Sequence, residues 1–413
     1  MTEMRILSPK GIRLQIGAFG RRNVGKSTVI NALMRQNLVI MSEIPGSTTD
    51  PVEKACELLP IGPVLFVDTA GIDDEGTLGS ERVAKTKSVF DRVEIAMIVV
   101  DAMLGKKAWG TFEEQLLAEM KARKAPIVIV VNKTDSATQE NVAEIVTMAR
   151  ERGLTAVPFS AKLDLESQFG APDLCEELIK LVPEQFLSPP PLLSDLVSDG
   201  SFVLLVTPID KEAPKGRLIL PQVQSIRDLL DAKLGCVVVQ ENMLATALEK
   251  FAPSLVVTDS QAFRSVAKIV PEETPLTSFS ILFARQKSDL KTMITGARMI
   301  ERLTPTSRVL IAEACAHHPV EEDIGTVKIP RLLRQKVGED IRVDFLHGHD
   351  FPSISELKRY GLVIHCGGCM FNRREMLTRL ERANASGTPM TNYGLAIAEL
   401  IGILERAIRP LGL

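Results

Sequence analysis

Eight residues near the N-terminus constrain this chain more than any others: Gly20-Arg21-Arg22-Asn23-Val24-Gly25-Lys26-Ser27. They fit the phosphate-binding pattern G-x-x-x-x-G-K-[ST] at every fixed position. The chemistry explains the spacing. Glycines let backbone N–H groups close around phosphate oxygens, Lys26 reaches the β- and γ-phosphates, and the Ser27 hydroxyl, with Thr28 beside it, sits where Mg²⁺ is held. Residues 12–19 alternate as a strand does, and residues 26–36 read as a helix whose N-terminus faces the anion.

Four further signals follow in order, each at the end of an apolar run. Runs at 64–67, 95–100, 127–131 and 155–159 alternate with helical patterns, the signature of a parallel sheet with crossover helices. In the loop after the first helix, Thr48 is the residue expected to complete the Mg²⁺ shell and sense the γ-phosphate, ahead of Thr49. Asp68 opens Asp68-Thr69-Ala70-Gly71 and is expected to hold Mg²⁺, while the Gly71 amide meets the γ-phosphate. Asn132-Lys133-Thr134-Asp135 ends the next run, and a carboxylate at Asp135 can accept from guanine N1–H and N2–H₂, donors that adenine does not present. Ser160-Ala161, after another run, would bring a backbone N–H to the guanine carbonyl. The expected ligand is therefore GTP with Mg²⁺, and the expected activity is GTP hydrolysis.

These residues resemble the Era/TrmE-like branch of the translation-factor-type GTPases. Position 72 is isoleucine, where Ras-like enzymes carry a glutamine that orients water, so Ile72 cannot polarise the nucleophile. In relatives sharing the G-x-x-N-x-G-K-S form, the asparagine helps to bind K⁺, which acts like an arginine finger. The resemblance therefore implies slow, K⁺-stimulated hydrolysis with Asn23 at the ion.

Length and composition bound the rest. With 413 residues, 45% of them apolar, the chain suggests two to three domains. A net charge of −3 and 4% aromatic content give no reason to expect nucleic-acid binding. No apolar run is long enough to span a bilayer, so a cytoplasmic protein without membrane contact is expected. The triple proline at 189–191 reads as a stiff linker. The expected architecture is an α/β chain: a P-loop GTPase domain over 1–183, then two smaller α/β domains with mainly parallel sheets, over 188–275 and 276–413. The middle one shows no catalytic constellation and suits a dimer contact.

The last segment carries the second chemical signal. A helical pattern over 281–303 leads into a buried strand at 308–313, which ends in Ala314-Cys315-Ala316-His317-His318. A strand at 360–364 ends in His365-Cys366-Gly367-Gly368-Cys369, so 47 residues separate His317 from His365. Parallel sheets place sites outside the carboxyl ends of their strands, which brings both clusters to one edge. Three thiolates suit either an iron–sulfur cluster or a Cys₃His zinc site closed by His317 or His365, and ligand chemistry alone leaves both open. His347 and His349 read as a solvated loop. An RNA-associated Era-like GTPase with a structural zinc domain is the alternative to a cluster-bearing GTPase.

Taken together, the GTPase head, the middle segment and the C-x-H…H-C-x-x-C set resemble the HydF family of FeFe-hydrogenase maturation GTPases. The resemblance implies a homodimer joined through the middle domain and a 4Fe–4S cluster held by Cys315, Cys366 and Cys369, with His317 and His365 also matching the motif. It further implies a diiron cargo, loaded by radical-SAM maturases and delivered to apo FeFe-hydrogenase.

Overall fold

The computed structural model describes residues 9–36, 42–44, 51–69, 88–167, 172–208, 218–314 and 323–413. The chain forms two compact units, Met1–Pro189 and Pro190–Leu413.

The first unit is built on a seven-stranded sheet. Its strands are β1 (Leu14–Phe19), β2 (Ser42–Ile44), β3 (Val52–Leu58), β4 (Gly62–Asp68), β5 (Ile95–Asp101), β6 (Ile127–Asn132) and β7 (Thr155–Pro158), in the order β2-β3-β4-β1-β5-β6-β7. From β4 to β7 every pairing is parallel, whereas β2 and β3 add an antiparallel edge. Strands β1 and β6 are buried along their whole length, because helices cover both faces. On one face Leu14 and Ile16 pack with Val29, Ile30 and Leu33 of the helix Lys26–Gln36. On the other, Ala96 and Ile98 pack with Leu116, Leu117 and Ile145. Fully burying a branched side chain of this size contributes roughly 1.5–3 kcal/mol. The strand β3 was not expected, because its Glu53, Lys54 and Glu57 break the apolar pattern. Glu53 and Lys54 are nonetheless buried, where Arg92 and Lys10 pair with Glu53 and Lys54 donates to Asn31 Oδ1 at 2.7 Å.

The second unit contains two four-stranded, all-parallel sheets. One comprises β8 (Phe202–Val206), β9 (Gly235–Val239), β10 (Leu255–Thr258) and β11 (Leu276–Ser278), in the order β11-β10-β8-β9. The other comprises β12 (Arg308–Glu313), β13 (Arg342–His347), β14 (Leu362–His365) and β15 (Met390–Asn392), in the order β13-β12-β14-β15. Both sheets therefore wind alike: the second strand lies on one side of the first, the third and fourth on the other. In such a sheet the crevice for a ligand opens between the carboxyl ends of the first and third strands. For the last sheet those ends are Glu313 and His365. A core shared by both sheets joins Leu204 and Val256 to Leu310, Val363 and Met390.

The helix expected over 281–303 is two helices, Phe279–Lys287 and Leu290–Arg298, followed by a 3₁₀ turn. The break has a local cause. Ser288 is extended, and Asp289 caps the second helix by accepting from the Thr292 N–H at 2.7 Å. Among the described residues no helix is long and apolar enough to cross a membrane.

Candidate functional site

The phosphate-binding loop leaves the centre of the first sheet at the carboxyl end of β1. Gly20 has φ +143°, and a Cβ there would lie 2.3 Å from the Val99 carbonyl oxygen. Gly25 has φ +95°, and a Cβ there would lie 2.3 Å from Asn132 Nδ2. Only glycine fits either position. Asn23 adopts the left-handed conformation at the exposed tip, φ 61°. Lys26 lies inside the curve of the loop, with Nζ donating to the Gly20 and Arg21 carbonyls, each at 2.9 Å. Ser27 donates to Asp68 Oδ2, which brings the two expected Mg²⁺ partners together from helix and strand. Burial pushes the Asp68 carboxyl upward in pKa, against the Ser27 hydroxyl, Lys26 and Lys54. A carboxylate oxygen beside a hydroxyl oxygen is a hard, oxygen-only donor set, so Asp68 and Ser27 fit Mg²⁺. Thr28 sits one residue further along the helix, half-buried. Thr48, Gly71 and Ile72 lie outside the described residues.

The expected base-binding residues come together on the adjoining loops. Buried Asn132 bridges two of them: its Nδ2 donates to the Val24 carbonyl at 2.8 Å, and its Oδ1 accepts from the Ala161 N–H at 3.1 Å. The backbone N–H read from the sequence as a guanine contact is thus, at Ala161, engaged in tying the loop to Asn132. Lys133 is left-handed (φ 65°), and its Nζ reaches Asp101 Oδ2 at 2.6 Å. Exposed Asp135 accepts from the hydroxyls of Ser160 at 2.6 Å and Ser136 at 2.9 Å. Those bonds lower its pKa and keep it an acceptor. One supporting contact was missed by sequence reasoning. Buried Glu113 takes a two-pronged bond from Arg21, 2.8 Å on each arm, and so braces the phosphate loop. It lies 92 residues away, and no local pattern marks it.

In the last sheet, the ends of β12 and β14 meet. The Ala314 N–H donates to Cys366 Sγ at 3.1 Å, and the Cys366 N–H donates to the Ala312 carbonyl at 2.8 Å. Cys315 and His317 lie outside the described residues, and among the described residues no three His, Cys, Asp or Glu side chains are grouped to hold a metal. Burial raises the pKa of Cys369, opposed by Lys287 and by the backbone N–H groups of Met370 and Cys369. Sulfurs approached by amide donors, with Phe371, Met370 and Met376 around them, fit a thiolate-bound cluster.

His365 is fully buried, and both of its ring nitrogens are committed. Arg379 Nη1 donates to Nε2 at 3.0 Å, which leaves the proton on Nδ1, facing the Cys366 carbonyl at 2.8 Å. Burial and the neighbouring Arg379 push its pKa down to about 3, so the ring is neutral. This geometry uses His365 to hold Cys366 and does not match the ligand role expected for it. His347, exposed at the end of β13, and His349, half-buried in the turn after it, are each paired with a carboxylate where only a solvated loop is expected. His347 Nδ1 lies 3.1 Å from Glu313 Oε2, and His349 Nδ1 lies 3.0 Å from Glu375 Oε1, with both carboxylates buried. Neither Arg379 nor Lys287 was singled out from the sequence, since an arginine or lysine within an amphipathic helix reads as a solvated face.

Three families match the chain in succession. Residues 15–133 match one described as 50S ribosome-binding GTPase, residues 192–288 the hydrogen maturase F dimerization domain, and residues 291–410 the hydrogen maturase F tetramerization domain. The tRNA modification GTPase MnmE of Alkaliphilus metalliredigens is 29% identical over 164 residues, covering 40% of this chain and 33% of that protein. GTPase Era of Halothermothrix orenii is 29% identical over 199 residues, covering 48% of this chain and 64% of Era. The chain thus spans a third of that MnmE and less than two thirds of that Era. A crystal structure of Era from Aquifex aeolicus is 19% identical, with 55% of this chain and 91% of that one covered and a TM-score of 0.33.

Proposed function

The chain belongs to the hydrogen maturase F family, and from that premise we propose that it is a GTP-hydrolysing scaffold in the maturation of FeFe-hydrogenase. In this reading the first domain (1–183) binds and hydrolyses GTP. The segment 188–275 joins two copies, in keeping with the dimerization family that it matches. The segment 276–413 carries a 4Fe–4S cluster and passes a diiron precursor, received from radical-SAM maturases, to apo-hydrogenase. The single observation that carries the reading is the meeting of two strand ends at Cys366, whose sulfur takes an N–H from Ala314, the residue that precedes Cys315 in sequence.

Within the first domain the residues divide the work. The amides of the loop from Gly20 to Ser27 bind phosphate, and Lys26 turns from loop carbonyls to phosphate oxygens. Ser27 and Asp68, with Thr48, hold Mg²⁺, which neutralises phosphate charge when bound. Asn23 is the residue for K⁺, which would supply positive charge at the transferred phosphoryl group. Asp135 selects guanine, held by Ser160 and Ser136. The Gly71 amide completes the γ-phosphate contacts. In the last domain Cys315, Cys366 and Cys369 are the cluster ligands, His365 props the Cys366 loop, and His317 is the histidine left to share the site.

The test is iron, sulfide and zinc analysis of anaerobically purified protein, with an absorption spectrum. About four iron and four sulfide per chain, with broad absorption near ~400 nm, is the expected result. About one zinc with no sulfide after reconstitution would overturn the scaffold reading and leave a GTPase with a structural zinc domain.

A further inference from the structure

The loop from Cys366 to Phe371 is wrapped around a buried amine from another element. Lys287, the last residue of the helix Phe279–Lys287, is 5% exposed. Its Nζ donates to the carbonyls of Phe371 at 2.7 Å, Gly368 at 3.0 Å and Cys369 at 3.4 Å. The Gly368 carbonyl also accepts from the Phe371 N–H at 3.0 Å, which closes the turn. Gly368 has φ +63°, and a Cβ there would meet Met376 Sδ at 2.8 Å, so the loop has little freedom to adopt another shape.

Three carbonyls drawn to one side have a consequence on the other. In a trans peptide unit the C=O and the N–H point in opposite directions. The carbonyl of Gly368 shares its unit with the N–H of Cys369, and that of Cys369 with the N–H of Met370. We propose that Lys287 is the positioning residue of the cysteine loop: by holding these carbonyls it turns the Cys369 and Met370 N–H groups to the Cys369 sulfur, and it adds a buried positive charge beside the group held there. Those two N–H groups are the backbone hydrogen-bond donors to the Cys369 sulfur, and the Lys287 ammonium is bonded to the carbonyls of the same peptide units. Peptide dipoles lined up between an ammonium and a sulfur favour negative charge at the sulfur. Amide bonds to sulfur and nearby charge are among the features that set the potential of a thiolate-bound cluster.

The charge half of this proposal rests on the cluster reading, whereas the positioning half does not. Both are tested on the full chain with Lys287→Met and Lys287→Gln. In cluster-free protein, amide hydrogen exchange over residues 367–372 is expected to quicken by roughly tenfold or more in Lys287→Met, with exchange in β12 unchanged. Unchanged loop exchange overturns the positioning role. Loss of protection throughout the second unit in both variants overturns it as well, since Lys287 would then be a general support and not the clamp of this loop. In reconstituted protein, Lys287→Met is expected to lower the reduction potential of the cluster at equal iron and sulfide content, and an unchanged potential overturns the charge role. If wild-type protein takes up no iron and sulfide, the cluster reading fails by itself, and the exchange measurement still decides the loop.

Discussion

Asp135 is held by two hydroxyls, Ser160 at 2.6 Å and Ser136 at 2.9 Å, which fix both carboxylate oxygens at the mouth of the site. A carboxylate so placed matches two adjacent donors on guanine. An amide presents one acceptor and one donor, and so matches xanthine, which has oxygen at C2. Asp135→Asn is therefore expected to weaken GTP binding by at least about a hundredfold, because a site built for a hydrogen bond rejects the base that leaves it unmade. Titration with fluorescent GTP and XTP reads the outcome, and unchanged GTP preference would contradict the assignment. The role proposed for Asn23 is tested in the same way. It sits exposed and left-handed at the tip of the loop, while the position after Gly71 is Ile72, which has no polar group to orient water. Hydrolysis should be faster in K⁺ than in Na⁺ at equal ionic strength, and Asn23→Ala should remove the difference. Equal rates in the two salts would rule out the ion.

Strand β3, next to the edge of the first sheet, shows how an element can form against its own sequence pattern. Glu53 is placed between Arg92 Nη1 at 2.7 Å and Lys10 Nζ at 2.5 Å. Burial alone would raise the pKa of Glu53, but Arg92 and Lys10 outweigh it and the net shift is downward. A carboxyl depressed in the folded state adds stability that is present above its unfolded value, near ~4.3, and is lost as pH falls through the folded one. Urea titrations of the first unit from neutral pH to about pH 3 should show that acid loss, and Glu53→Gln should flatten it. Arg92→Met leaves Glu53 without its buried partner and should cost about 3–5 kcal/mol at neutral pH. A loss well under ~1 kcal/mol would mean that water already screens the pair.

At the scale of the whole molecule, the ligands proposed for the cluster illustrate how two chemical signals far apart in sequence reach one sheet edge. Cys366 and Cys369 follow β14, Cys315 follows β12, and these strands are neighbours in the last sheet. A thiolate site spanning both ends should depend on each of them. Cys315→Ala and Cys369→Ala should each abolish the brown colour and most of the bound iron, whereas a simple dithiol at Cys366 and Cys369 would keep its activity in Cys315→Ala. The first unit should bind GTP equally well in both variants, since its site is built wholly from residues 20–161.

The division between what could be read from the chain and what could not has a physical basis. Motifs whose chemistry is local were legible: a glycine loop that must approach phosphate and an acid at the end of a strand carry their reasons within a few residues. So was the α/β class, because strands buried on both faces are written as unbroken apolar runs. The contacts that tie distant elements together were not legible. Glu113 bracing Arg21, Asn132 joining two loops, Arg379 occupying His365 and Lys287 clasping the cysteine loop are separated by 14 to 108 residues from the groups they hold. In sequence Glu113, Arg379 and Lys287 are ordinary polar residues within helices, and the motif that marks Asn132 does not show which loops it joins. Burial decides their meaning, for only away from water does a charge or an amide have to find its partner. The sequence by itself determined which atoms are candidates for the chemistry; the tertiary structure decided which side chains hold those atoms in place.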